Sequence, residues 1–143
     1  MSIAQGHAQD RPRPVSPARV ISSLRSTLNS DDPVANALRD SARRMIGVAV
    51  LESKLIGDPK DMLQLKFLHV SQAYRGRGLG RQLFEHAKAV ARARGAQRMY
   101  VSATPSEHTI NFYLGLGCLI SKRPDPALLA LEPDDIHLEI RTG

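Results

Sequence analysis

Residues 74–80, Tyr-Arg-Gly-Arg-Gly-Leu-Gly, set glycines 76, 78 and 80 among arginines 75, 77 and 81. Glycine lets a backbone turn come close to an anion, and unpaired N–H groups at the start of a helix, aided by its dipole, bind phosphate. Taken alone, the same turn also serves plain packing. Spacing argues against two phosphate-binding patterns. A nucleotide P-loop needs Lys-Ser/Thr after its last glycine, and Gly80 is followed by Arg81-Gln82. A dinucleotide fold needs a third spaced glycine and an acid about 20 residues on, whereas Arg81 holds the glycine position and no acid lies between Glu85 and Glu107.

The charge supports an anionic ligand. The chain has 143 residues and a net charge of +6, and the excess is central: Arg75, Arg77, Arg81, Lys88, Arg92, Arg94 and Arg98 are opposed only by Glu85. The last four read as a solvated helix face; the first three are set apart by the glycines. A basic nucleic-acid-binding protein is one alternative, but aromatic residues make up only 4% and none is interleaved with the arginines as a stacking platform. The lone Cys118 cannot form an intramolecular disulfide, and no Cys/His spacing suits a metal, so no metal site is expected. No apolar run reaches the roughly 18 to 20 residues of a membrane span, and the first residues lack a signal-peptide core. A soluble, cytoplasmic protein is expected.

These groups must be positioned by the surrounding elements. Residues 1–18 are rich in Pro, Ser, Gln and Arg and read as a disordered tail before a single domain over 19–143. Ser16-Pro17 with Val20, Leu24 and Leu28 predicts a short helix, and Asp32-Pro33 with Val34, Ala37, Leu38 and Ala42 predicts a second, fading near Arg44. Ile46 to Leu51 and Met62 to Val70 read as strands about a turn with Gly57 and Pro59. The glycine loop then opens a helix with Leu79, Leu83, Ala87 and Val90 on one stripe, capped by Gly95. A strand over Gln97 to Ala103, a helix opened by Pro105-Ser106 with Ile110, Tyr113 and Leu114 on its apolar side, a short strand at Cys118 to Ile120, a Pro-rich excursion from Pro124 to Pro133 and a strand over Ile136 to Ile140 complete the chain.

The spacing Arg75-x-x-Gly78-x-Gly80 resembles the acyl-CoA pyrophosphate loop of the GNAT superfamily of N-acetyltransferases. Leu68-His69-Val70 before the loop resembles the strand end that precedes it in that family. Phe112-Tyr113-Leu114-Gly115-Leu116-Gly117 resembles the family's later helix with Phe-Tyr-x-x-x-Gly. The resemblance implies an α/β domain with a mixed sheet flanked by helices, acetyl-CoA as co-substrate and an amine acceptor. It further implies that the loop from Arg75 and Gly76 through Arg77, Gly78, Leu79, Gly80 and Arg81 holds the pyrophosphate. Backbone groups of Leu68 and Val70 would pair with the pantetheine arm, the Val70 N–H polarising the thioester carbonyl. The Tyr113 hydroxyl would protonate the leaving thiolate, with Glu52 or His69 as candidate bases. Ser106 stands where relatives use Asn toward the cofactor; a plain N-cap is its other reading. Cys118 reads as a core thiol.

The match is strongest over 45–141 and extends into the tail Leu131-Glu132-Pro133-Asp134-Asp135-Ile136-His137-Leu138-Glu139, similar to one bacterial-type subgroup. The family fold opens with a strand, two helices and a second strand. Here the sequence predicts the helices but neither strand, leaving a sheet edge open to pairing with a second copy. A non-catalytic acyl-CoA-binding or partner-binding remnant is the further alternative.

Overall fold

The computed structural model describes residues 20–24, 33–40 and 42–143. Among these residues seven strands, β1 (Val20–Leu24), β2 (Val34–Arg39), β3 (Met45–Leu51), β4 (Met62–Val70), β5 (Arg98–Ala103), β6 (Leu119–Ile120) and β7 (Ile136–Arg141), form one sheet in the order β1-β2-β3-β4-β5-β7-β6. All neighbours run antiparallel except β4 and β5, which are parallel and joined through the helix α1 (Leu79–Ala93). The helix α2 (Glu107–Gly115) follows β5, and α3 (Pro126–Leu131) precedes β7. The mixed sheet with flanking helices is the architecture expected from the sequence.

The first third departs from expectation. The two strands expected to be missing are present, and they take the place of the two predicted helices: β1 pairs with β2, and β2 with β3. The tail over 1–18 and the Ser16-Pro17 helix start lie outside the described residues. The physical cause is legible in β2. Its residues Val34, Ala37 and Leu38 fit a helical stripe equally well in so short a window, and the ladder to β3 overrides that local preference. The Pro-rich excursion also carries α3, opened by Asp125 as a side-chain cap with Pro126 behind it.

The core lies on one face. Leu63, Leu65, Leu68 and Val70 of β4 and Met99, Val101 and Ala103 of β5 bury against Leu79, Leu83, Phe84, Ala87 and Ala91 of α1, with Tyr113 of α2 in the same cluster. These α1 residues repeat every three or four positions, the stripe the sequence predicts. Leu114, expected on the apolar side of α2, is exposed. Gly47 lets α1 sit close to β3: a Cβ there would stand 2.8 Å from Leu83 Cδ1. The opposite face carries Phe67 and His69 of β4 beside Val50 and Val48 of β3. It also carries Tyr100 and Ser102 of β5 beside Glu139 and His137 of β7.

Candidate active site

The parallel ladder between β4 and β5 runs only from Met62↔Arg98 to Leu65↔Val101. Past that point β4 is paired on one side alone. Val50 stands opposite Phe67 and Leu51 opposite Leu65, so β4 carries an extra residue at Lys66, a bulge that turns the strand where it leaves β5. The Ser71 N–H donates to the Ile46 carbonyl at 2.7 Å. In an antiparallel ladder bonded and non-bonded pairs alternate, so Val70 (opposite Gly47) and Leu68 (opposite Ala49) are non-bonded pairs. Their N–H and C=O groups therefore face the gap. Arg75 Nε donates to the Val70 carbonyl at 2.8 Å, which leaves the amides of both residues directed into it.

At the same end of the sheet the chain makes a short 3-10 turn, Gln72–Tyr74, and then the glycine loop. Gly76 and Gly78 have φ of 81° and 77°, left-handed values that glycine adopts without strain. A Cβ added at either would meet nothing within 4 Å, so the loop's outer side is open. Gly80 answers a different need: its Cβ would lie 3.1 Å from Phe112 Cζ, and its absence lets α1 and α2 approach. Gly78 caps α1 with no side-chain hydrogen bond and no acid in the first turn, and the first N–H of the helix to find a carbonyl is that of Gln82, on Gly78. The amides before it and the dipole of a 15-residue helix converge on this open side.

A cavity of about 340 Å³ joins the loop to α2, lined by Val70, Tyr74, Arg75, Gly76, Gly78, Leu79, Gly80, Arg81, Asn111, Phe112, Gly115 and Leu116. Tyr74 and Asn111 were not singled out by the sequence. Asn111 shares a helix face with Gly115 four residues on, and Tyr74 opens the glycine run; those are the signals that mark them. Tyr74 links the loop to the sheet, because its hydroxyl donates to Asp40 Oδ2 at 3.3 Å and its ring carries the Arg77 guanidinium 5.8 Å from the centroid. Arg81 Nη2 donates to the Gly115 carbonyl at 3.5 Å. Lys88 and Arg98 are engaged elsewhere, with Glu85 and with Asp61 and Glu139.

Tyr113 is 4% exposed, set edge-on to Phe112 and tilted against Phe84. Its hydroxyl makes no hydrogen bond among the described residues, and burial pushes its pKa well above the ordinary tyrosine value. His69 is half-buried and stacked on Phe67; burial first, and then the charge of Arg75, hold its pKa below 6.5. Glu52 is not beside it: its N–H bonds the Gln64 carbonyl and its carboxylate pairs with Lys66 at 3.2 Å. That places Glu52 roughly 15 Å along β4 from His69. Ser106 caps α2, accepting from the Thr109 N–H and donating to Thr109 Oγ1 at 2.8 Å. Cys118 is buried, its thiol pushed up to about 12 by desolvation. Among the described residues no group of three or more His, Cys, Asp or Glu could hold a metal, and no helix is long and apolar enough to cross a membrane.

The sequence model of the acetyltransferase (GNAT) family matches residues 8–117. Among solved structures, an IAA acetyltransferase from Bacillus cereus ATCC 14579 superposes with a TM-score of 0.66 at 17% identity, covering 87% of this chain and 99% of its own. A GNAT family acetyltransferase from Elizabethkingia anophelis, with acetyl-CoA bound, gives 0.65 at 14%, covering 88% and 99%. A nourseothricin acetyltransferase gives 0.64 at 20%, covering 83% and 71%. At these identities the superpositions speak for the fold.

Proposed function

Since the chain belongs to the GNAT acetyltransferase family, whose members move an acetyl group from acetyl-CoA, we propose that it acetylates a primary amine by direct attack, in the β4–β5 gap. The observation that carries this is one coincidence of geometry. The strand pair opens after Leu65 and Val101, and the uncapped N-terminus of α1 stands at that same end. The site fits the co-substrate: left-handed glycines with open space where a Cβ would stand, an acid-free helix start and strand amides aimed into a gap.

Acetyl-CoA supplies the activated thioester. The amides of Gly78 to Arg81 bind its pyrophosphate, with Arg75, Arg77 and Arg81 as counter-charges and Tyr74 holding Arg77 in place. Leu68 and Val70 extend β4 toward the pantetheine arm as an unpaired strand edge. The Val70 N–H stabilises charge developing on the thioester oxygen. Tyr113, fully protonated at neutral pH, donates to the departing sulfur; with so high a pKa its hydroxyl serves chiefly as a hydrogen-bond donor, a role needing no complete transfer. His69, neutral at pH 7 and at the open end of β4, is better placed than Glu52 to take the amine's proton, directly or through water. Ser106 contributes through the start of α2.

Two measurements test the proposal together. Acetyl-CoA at about one hundred times its Kd should stabilise the protein by ~2.7 kcal/mol, a shift of several degrees in Tm. Gly78→Val, which strains a left-handed residue and fills the loop's open side, should remove that shift. Thiol release from acetyl-CoA across amines, peptides and aminoglycosides should then identify an acceptor. A Tm shift without release in any mixture would favour the acyl-CoA-binding remnant, and no shift at all would overturn the proposal.

A further inference from the structure

The sheet face turned away from α1 and α2 holds a buried polar chain that cofactor binding does not use. Tyr100 is fully buried and His137 is 4% exposed. Tyr100 Oη lies 2.5 Å from His137 Nδ1 and 3.0 Å from the Asp125 backbone nitrogen. The Asp125 N–H can only donate, so Tyr100 Oη accepts there. The Glu132 carbonyl can only accept, so His137 Nε2 donates to it, at 3.1 Å. In the tautomer with the proton on Nε2, Nδ1 accepts from the Tyr100 hydroxyl.

The two ends of this chain, Asp125 and Glu132, are the N-cap and C-cap of α3. That helix has no buried residue, Leu128 alone is half-buried and Leu131 is 76% exposed, so little apolar packing holds it. The polar chain does, helped by Ser102, whose hydroxyl donates to Asp135 at 3.0 Å. Ser102 is also the first β5 residue beyond the paired stretch with β4, at the mouth of the gap. Across the mouth, on the same face, stand Phe67 and His69. A molecule reaching the gap from the side opposite α1 and α2 passes between these two boundaries.

We propose that Tyr100 and His137 are positioning residues: they clamp both ends of α3 so that its C-terminal end and the residues that follow, 128–135, form a fixed wall of the acceptor's approach. The inference rests on the acetyl-transfer reading for the wall's role, but not for the clamp. Tyr100→Phe removes the hydroxyl and keeps the ring. Deuterium uptake by the peptide 124–133 should then quicken about tenfold, with peptides from α1 and β4 and the acetyl-CoA-induced Tm shift unchanged. KM for an acceptor found in the panel should rise about tenfold with kcat within about twofold. His137→Asn keeps an oxygen for the Tyr100 proton but loses the bond to Glu132, and should fall between. Unchanged uptake in Tyr100→Phe, or quickened uptake throughout the protein, overturns the clamp. Quickened uptake at 124–133 with an unchanged acceptor KM overturns the wall. Failure of wild-type protein to release thiol ends the acceptor role, while the exchange result still decides the clamp.

Discussion

Tyr113 and His69 illustrate how far burial decides what one side chain can do. Tyr113→Phe deletes a hydroxyl with no hydrogen bond among the described residues, so stability should change little. Turnover should drop about 100-fold with the acetyl-CoA Kd within about twofold, as single-turnover rates and calorimetry would show. Equal kcat in the two proteins removes Tyr113 from the chemistry. For His69, desolvation and the neighbouring Arg75 place the folded pKa below 6.5, and the base must be neutral to work. The acid limb of kcat/KM should therefore fall below pH 6.5. His69→Gln should abolish that limb and slow the reaction at least about tenfold, whereas Glu52→Gln, remote and paired with Lys66, should leave the profile in place.

At the scale of elements, the β2–β3 turn is tied to the phosphate loop through one carboxylate. Asp40 accepts from the Ala42 and Arg44 N–H groups, both at 2.9 Å, from Arg44 Nε at 2.8 Å and from the Tyr74 hydroxyl. The Arg44 backbone bond is the largest cause holding its pKa below the ordinary 3.8. A carboxylate depressed in the folded state contributes stability that is complete above the unfolded pKa and lost as pH falls through the lower folded value. Asp40→Asn should accordingly flatten the fall of Tm below about pH 4. It should also weaken acetyl-CoA binding about two- to fivefold at neutral pH by freeing Tyr74 under Arg77, a modest effect because the cation–π contact at an exposed site is worth only ~0.5–1 kcal/mol. Unchanged affinity would show that the turn and the loop act separately.

Across the whole molecule, the two ends of the sheet serve different purposes. At the end remote from the loop, Arg98 bridges Asp61, just before β4, and Glu139 of β7, with contacts of 2.9 and 2.6 Å. Arg98→Ala leaves two carboxylates facing each other without their shared cation. Because the pair is partly exposed, the loss should be about 1–2 kcal/mol, or roughly 3–8 °C in Tm. The acetyl-CoA-induced shift should survive in full, since the loop stands at the opposite end of β4. Loss of that shift along with the Tm would show that the sheet transmits the damage.

The glycine run, the strand before it, the striped helix after it and the Phe112-Tyr113 pair were legible from residue types alone, because left-handed turns, alternation and helical stripes are local properties. They are what the proposed acyl-CoA loop and the proposed role of Tyr113 rest on. The strands β1 and β2 were not legible: in windows of five or six residues, apolar positions such as Val34, Ala37 and Leu38 satisfy both periods, and only the ladder to β3 chooses. Nor could spacing separate His69 from Glu52, since the bulge at Lys66 and the end of pairing at Leu65 set which of them reaches the open end of β4. The tail containing His137 stood out in the sequence without an evident role. That role arises from Tyr100 and Asp125, 37 and 12 residues away along the chain, because a hydrogen bond depends on where two groups meet in space.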